Sequence, residues 1–155
     1  IDRSLAIRLL DDLAYVTSYD RGLRILDISQ PYDPRVVSPG IPGARKSFDL
    51  SISEERLALA TDYGWALYQL SDRLNPRLLS TNRSYEFIYR VSVTGSQLLT
   101  MDPKGFTAFS IVDPEKPQSC FGVVMATSNC EYGEGGEFKR SGMEACGVCV
   151  GWDTP

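Results

Sequence analysis

Leu57-Ala-Leu-Ala-Thr-Asp-Tyr-Gly-Trp-Ala-Leu-Tyr-Gln-Leu-Ser71, followed by Asp-Arg-Leu-Asn-Pro-Arg-Leu-Leu-Ser80, decides the fold. It is a short apolar run, a turn, a second apolar run, and a polar loop that ends in proline before a third. The same order occurs twice more, over Leu13–Ser38 and over Leu98–Phe121. Gly22, Gly64 and Gly105 are 42 and 41 residues apart, and so are Pro34, Pro76 and Pro117. Two independent markers with the same spacings define a repeat of about 42 residues.

Each unit reads as four short strands. Ser47–Ser53 alternates apolar and polar residues, the period of a half-buried strand. Leu57–Thr61 is the second strand and ends at the turn Asp62-Tyr63-Gly64, where glycine supplies a positive φ without a Cβ clash. Trp65–Leu70 is the third. Pro76 opens the fourth, Arg77–Thr81, because a proline at a strand's first residue breaks no ladder bond. Leu5–Leu10 and Tyr89–Thr94 are the corresponding first strands of the other units. No stretch sustains a 3.6-residue period, so almost no helix is expected.

Four strands per repeat of this length is the pattern of propeller blades. A blade is a small twisted sheet with two apolar faces, and it buries them only by stacking on other blades. The expected fold is therefore all-β, with three four-stranded antiparallel blades (about 1–40, 41–82 and 83–125) and a Cys/Gly-rich acidic tail (126–155). Three blades form an open wedge with two uncovered apolar outer faces. Further blades of a larger protein, another chain or copies of this one would complete the ring, and the chain reads as a fragment or subunit of such an assembly.

The run Gly22-Leu-Arg-Ile-Leu-Asp-Ile-Ser-Gln-Pro-Tyr-Asp-Pro-Arg-Val-Val37, with the strand Leu13-Ala-Tyr-Val16 before it, resembles the LVIVD repeat. That repeat has a Gly-Leu-hydrophobic-Asp run followed by a Pro-x-x-Pro turn. The resemblance covers about residues 1–125. Gln69 and Ser110 stand in place of the Asp27 position, and Arg73 replaces the first proline, which Pro114 retains. It implies a β-propeller of secreted or surface-attached proteins. The Trp152-Asp153 dipeptide lies in the tail and no Gly-His is present, so the WD-repeat pattern is not met.

Composition removes several functions. The chain has 155 residues, no histidine, and a formal charge of −4. Without histidine it supplies no Ser-His-Asp or Cys-His pair and no His-ligated metal. Its pI near 4.8 argues against nucleic acid as a partner. No apolar run approaches the roughly 18 residues of a membrane helix. No cofactor is indicated. From Cys130 onward five acids face only Lys139 and Arg140, so the tail carries most of the negative charge.

Cys120, Cys130, Cys146 and Cys149 give C-x9-C-x15-C-x2-C. The flanks are glycine-rich and too poor in apolar residues to offset their ordering entropy. Structural disulfides in an oxidising, extracytoplasmic compartment are the expectation, with the pairing open. A zinc or thiol-redox module is the alternative, and only Cys146/Cys149 has ligand spacing for it.

The carboxylate pairs Asp11-Asp12 and Glu54-Glu55 fall at hairpin turns, and neighbours on a strand point to opposite faces, so neither reads as a catalytic pair. Asp27 ends a strand and is expected to cap the turn after it. The turns between second and third strands and the crossings between blades should open on one face. That face gathers Tyr19, Asp20, Arg21, Arg45, Lys46, Asp62, Tyr63, Arg83, Tyr85, Asp102 and Lys104, residue types suited to a binding surface. The functional expectation is a non-catalytic interaction or structural module of a cell-surface assembly. The alternative is part of a propeller enzyme with its site over the central channel.

Overall fold

A computed structural model describes residues 3–38, 41, 44, 46–83 and 87–124. The tail, with Cys130, Cys146 and Cys149, lies outside the described residues, as do Arg45 and Tyr85. Among the described residues twelve strands form three separate four-stranded sheets, each a simple antiparallel meander, and there is no helix. The first blade holds β1 (Ser4–Leu10), β2 (Leu13–Ser18), β3 (Gly22–Asp27) and β4 (Arg35–Val36). The second holds β5 (Ser47–Ser53), β6 (Arg56–Thr61), β7 (Gly64–Gln69) and β8 (Arg77–Asn82). The third holds β9 (Arg90–Thr94), β10 (Gln97–Asp102), β11 (Gly105–Ser110) and β12 (Gln118–Val124).

The punctuation acts as the sequence predicts. Gly22, Gly64 and Gly105 all have positive φ at the turn into the third strand. Pro34, Pro76 and Pro117 each stand just before the fourth. A second set of equivalent turns joins the first two strands of each blade. Its left-handed position is held by Asp11 (φ 51), Glu54 (φ 55) and Gly95 (φ 49). A side chain in that region costs about 1 kcal/mol or more, and a Cβ at residue 95 meets no atom within 4 Å. Gly95→Ala should therefore cost about 1 kcal/mol from backbone strain alone, read as a lower urea midpoint with an unchanged m value.

The inner strands β1, β5 and β9 pack side by side, whereas the outer strands β4, β8 and β12 contact only their own blades closely. The sheets thus fan around a common axis as propeller blades. The core lies between them in two layers. Tyr15, Leu23 and Ile25 of the first blade meet Leu50, Leu57, Leu59 and Tyr68 of the second. Ala58, Ala60, Trp65 and Leu67 of the second meet Val91, Val93, Leu98 and Phe109 of the third. Successive residues of β6 therefore serve opposite layers, which is why Leu57-Ala-Leu-Ala60 is apolar throughout rather than alternating.

Polar contacts stitch the layers. Tyr15 donates from its hydroxyl to the Arg73 carbonyl at 2.9 Å, and Arg73 also pairs with Asp11. The Arg56 guanidinium donates to the Ile111 carbonyl at 2.9 Å, and the Ser80 hydroxyl to the Pro114 carbonyl at 2.7 Å. Burial, and then the nearby Asp72 charge, push the Tyr15 phenol up to about 12, and burial also pushes the Tyr68 phenol up. Both folded values exceed the unfolded value of 10.0, so the stability they contribute is complete below pH 10 and lost above it. Unfolding free energy should fall as pH rises from 10 toward 12, with a smaller loss in Tyr15→Phe, as read by denaturant titration across that window.

Candidate functional site

The turns between second and third strands share one device. Ser18, Thr61 and Asp102 occupy the same register position, each opposite the turn glycine. Ser18 Oγ accepts the Arg21 N–H at 3.3 Å and Thr61 Oγ1 accepts the Tyr63 N–H at 3.3 Å. Asp102 Oδ1 accepts the N–H groups of Lys104 at 2.7 Å and Gly105 at 3.0 Å. All three side chains are buried. Asp102, a candidate contact residue by sequence, is thus placed as the cap of its own turn. Asp27 caps as expected, its Oδ1 accepting the Ser29 N–H at 2.8 Å, and the bonds to Ser29 hold its carboxyl below the usual range.

Asn82 pairs with Trp65 and Arg90 with Met101, so the crossing between second and third blades opens at the same end as these turns. An aromatic row runs along that end from blade to blade: Tyr19 against Phe48 (5.7 Å between ring centroids), Phe48 against Phe87 (4.3 Å) and Phe87 against Tyr89 (6.4 Å). Phe48 reaches the row because it is the extra residue of a β-bulge, between Ser47 and Asp49 in the register of β5 with β6. Cations flank the row. Arg3 lies 4.5 Å from the Tyr19 ring and pairs with Asp20 at 3.4 Å. Lys46 sits 5.8 Å from the Tyr19 ring and 6.0 Å from that of Tyr63. It pairs with Asp62 at 3.0 Å, which holds its ammonium above the ordinary value.

Tyr19, Asp20, Lys46, Asp62 and Tyr63 are therefore brought together. Arg21, Arg83 and Lys104 are exposed. A recess of about 170 Å³ opens beside Phe87, Asp102, Pro103 and Lys104. That is below the roughly 300–1,000 Å³ of small-molecule pockets, so this recess is too small for an ordinary small-molecule site. Phe48 and Tyr89 were not legible as members of this row, since they fall in first strands where aromatics read as core, and Phe87 lies two residues past Tyr85 in a crossing whose residues were expected on this face.

A polar cluster on the inner strands was also not foreseen. Asp49 on β5 is 2% exposed. Its Oδ2 accepts the Val91 N–H of the third blade at 3.1 Å, and Ser51 Oγ accepts the Val93 N–H at 3.1 Å. Asp49 Oδ1 has no hydrogen bond, with Arg8 at 3.9 Å and Arg90 at 3.8 Å. Among the described residues no three acids or cysteines gather as a metal site. No helix is long and apolar enough to cross a membrane among them.

The outer faces of the wedge leave apolar side chains uncovered. On the first blade Ile7 is 54% and Leu9 65% exposed; on the third Met101 is 43% and Phe106 38% exposed. These are not arbitrary positions. By strand register, Ile7 and Leu9 match Leu50 and Ile52, which face the first blade from the second. Met101 and Phe106 match Ala60 and Trp65, which face the third blade from the second.

No family model and no curated protein matches the chain significantly. Solved structures do. The N-terminal domain of Nup159 aligns with 79% of this chain and 31% of its own, at TM-score 0.50 and 17% identity. PorZ of Porphyromonas gingivalis, a surface component of the type IX secretion system, aligns with 77% of this chain and 16% of its own, at TM-score 0.52 and 14% identity. The chain spans less than a third of either structure, and at these identities the likeness is one of fold: three blades of a β-propeller.

Proposed function

We propose that the chain is a non-catalytic assembly module, a propeller segment of an extracytoplasmic or cell-surface complex that engages its neighbours through its two open blade faces. One observation carries this reading: the residues left exposed on the outer blades occupy the same register positions that form the two inter-blade cores. Burying apolar area of this kind yields about 25 cal/mol per Å², so the faces favour a partner with a matching face. The aromatic and cationic loop end supplies a second surface at the rim, where Tyr63 is 54% exposed.

The expected result is that the purified chain either associates in a concentration-dependent way or binds an apolar dye such as ANS. A monomer at tens of micromolar that binds no dye would overturn the reading, because the faces would then be covered within the chain. The localisation rests on the even cysteine count and the LVIVD resemblance. It predicts two disulfides, seen as an intact mass about 4 Da higher after reduction. An unchanged mass would count against an oxidising compartment.

A further inference from the structure

We propose that the axial edge of the wedge carries an oxyanion site, built by Arg8 of β1 and Arg90 of β9, that takes a phosphate group. Each inner strand is hydrogen-bonded to one neighbour within its sheet, β1 to β2, β5 to β6 and β9 to β10. The other edge of each faces the axis around which the sheets fan. Val91 and Val93 turn their N–H groups to that free edge of β9, since these donate to Asp49 and Ser51 rather than to β10. The Asp49 carboxylate therefore lies on the axial side. Arg8 approaches it from the first blade and Arg90 from the third, and the two guanidiniums come to 3.9 and 3.8 Å from the same oxygen, Oδ1.

The charges there do not balance. Arg8, Asp49 and Arg90 are the charged residues of the three inner strands, two cations against one anion. Asp49 is buried, its Oδ2 is taken by the Val91 N–H, and its Oδ1 bonds neither arginine. Donors are in excess as well. Arg8 gives one bond, from Nη1 to the Ile7 carbonyl at 2.9 Å, and Arg90 gives none to a described residue. Both side chains are open to solvent, 49% and 65% exposed. A guanidinium offers a planar fork that bonds two oxygens at once. Two forks call for two pairs of oxygens. A tetrahedral phosphate presents a separate edge to each, whereas a carboxylate has one edge and serves one fork. Tips held this close to one atom lie within roughly 8 Å of each other, the span of one phosphate with a hydrogen bond on either side. A phosphate group also carries about two negative charges near neutral pH, which offset the excess cation and the repulsion between the two guanidiniums. The site uses nothing from the open blade faces, so its failure and theirs are separate results.

The test is isothermal titration calorimetry of the full chain in phosphate-free buffer at low ionic strength, where exposed charges are least screened. The titrants are inorganic phosphate, glycerol 3-phosphate and acetate. Phosphate should bind saturably, and acetate about tenfold more weakly or worse, having one edge to offer. Arg8→Gln and Arg90→Gln should each weaken phosphate binding about tenfold or more through the lost charge-assisted bonds, with urea midpoints near wild type because both side chains are exposed. Asp49→Asn should bind phosphate more tightly, since it removes the negative charge beside the anion and keeps the acceptor of the Val91 N–H. Glycerol 3-phosphate binding as well as inorganic phosphate, or better, assigns the site to the phosphate end of a small molecule; binding of inorganic phosphate alone assigns it to the free ion. No saturable phosphate binding, binding that both glutamine variants leave unchanged, acetate bound equally well, or weaker binding to Asp49→Asn overturns the site.

Discussion

Trp65→Ala should lower the free energy of unfolding by about 3–5 kcal/mol, the largest loss expected of any single substitution here. Trp65 is 3% exposed and lies in the layer between second and third blades. Its ring meets Phe109 edge-on, 5.0 Å between centroids. Truncation removes the transfer free energy of the indole and leaves a cavity walled by strands that are hydrogen-bonded on both sides and cannot collapse into it. Its Nε1–H has no hydrogen-bond partner. Trp65→Phe therefore gives up no hydrogen bond and leaves a smaller cavity, so it should cost clearly less, about 1–2 kcal/mol. Urea titration of the three proteins, with equal m values, checks both figures.

The second large effect belongs to Asp49. Asp49→Ala removes the acceptor of the buried Val91 N–H and should cost about 2–3 kcal/mol, the penalty of an orphaned buried donor together with a lost charge-assisted bond. Asp49→Asn keeps an oxygen at the same place. Arg8 and Arg90 are about half exposed or more and lie beyond hydrogen-bond distance, so loss of the charge is largely screened. The Asn variant should remain within about 1 kcal/mol of wild type. Equal losses in the two variants would instead assign the stabilisation to the ion pairs.

The blade boundaries were legible because they are set by residues with narrow backbone demands. Only glycine fits the third-strand turns without strain, and only proline reliably marks the start of the outer strands. The open faces were legible too, since three sheets in a fan must leave two uncovered. Asp49 was not. In Ser47-Phe-Asp-Leu-Ser-Ile-Ser53 it reads as the polar half of an alternation, yet β5 lies between β1 and β9, and the bulge at Phe48 shifts the phase of the strand. The same bulge hid the aromatic row. Asp102 was legible as a turn residue, but whether its carboxylate faced outward or capped its own turn depends on a register that the sequence does not reveal.

The three sheets fan around a common axis, and spin-label distances read that arrangement in solution. Genetically encoded labels leave the four cysteines untouched, and dilution with unlabelled chain isolates distances within one molecule. Arg8 and Ser92 occupy one register position on the inner strands of the first and third blades, and Arg35 and Gln118 another on the outer strands. A fan gives a distance between the outer pair clearly longer than between the inner pair. Equal separations would mean flat stacked sheets, and would contradict it.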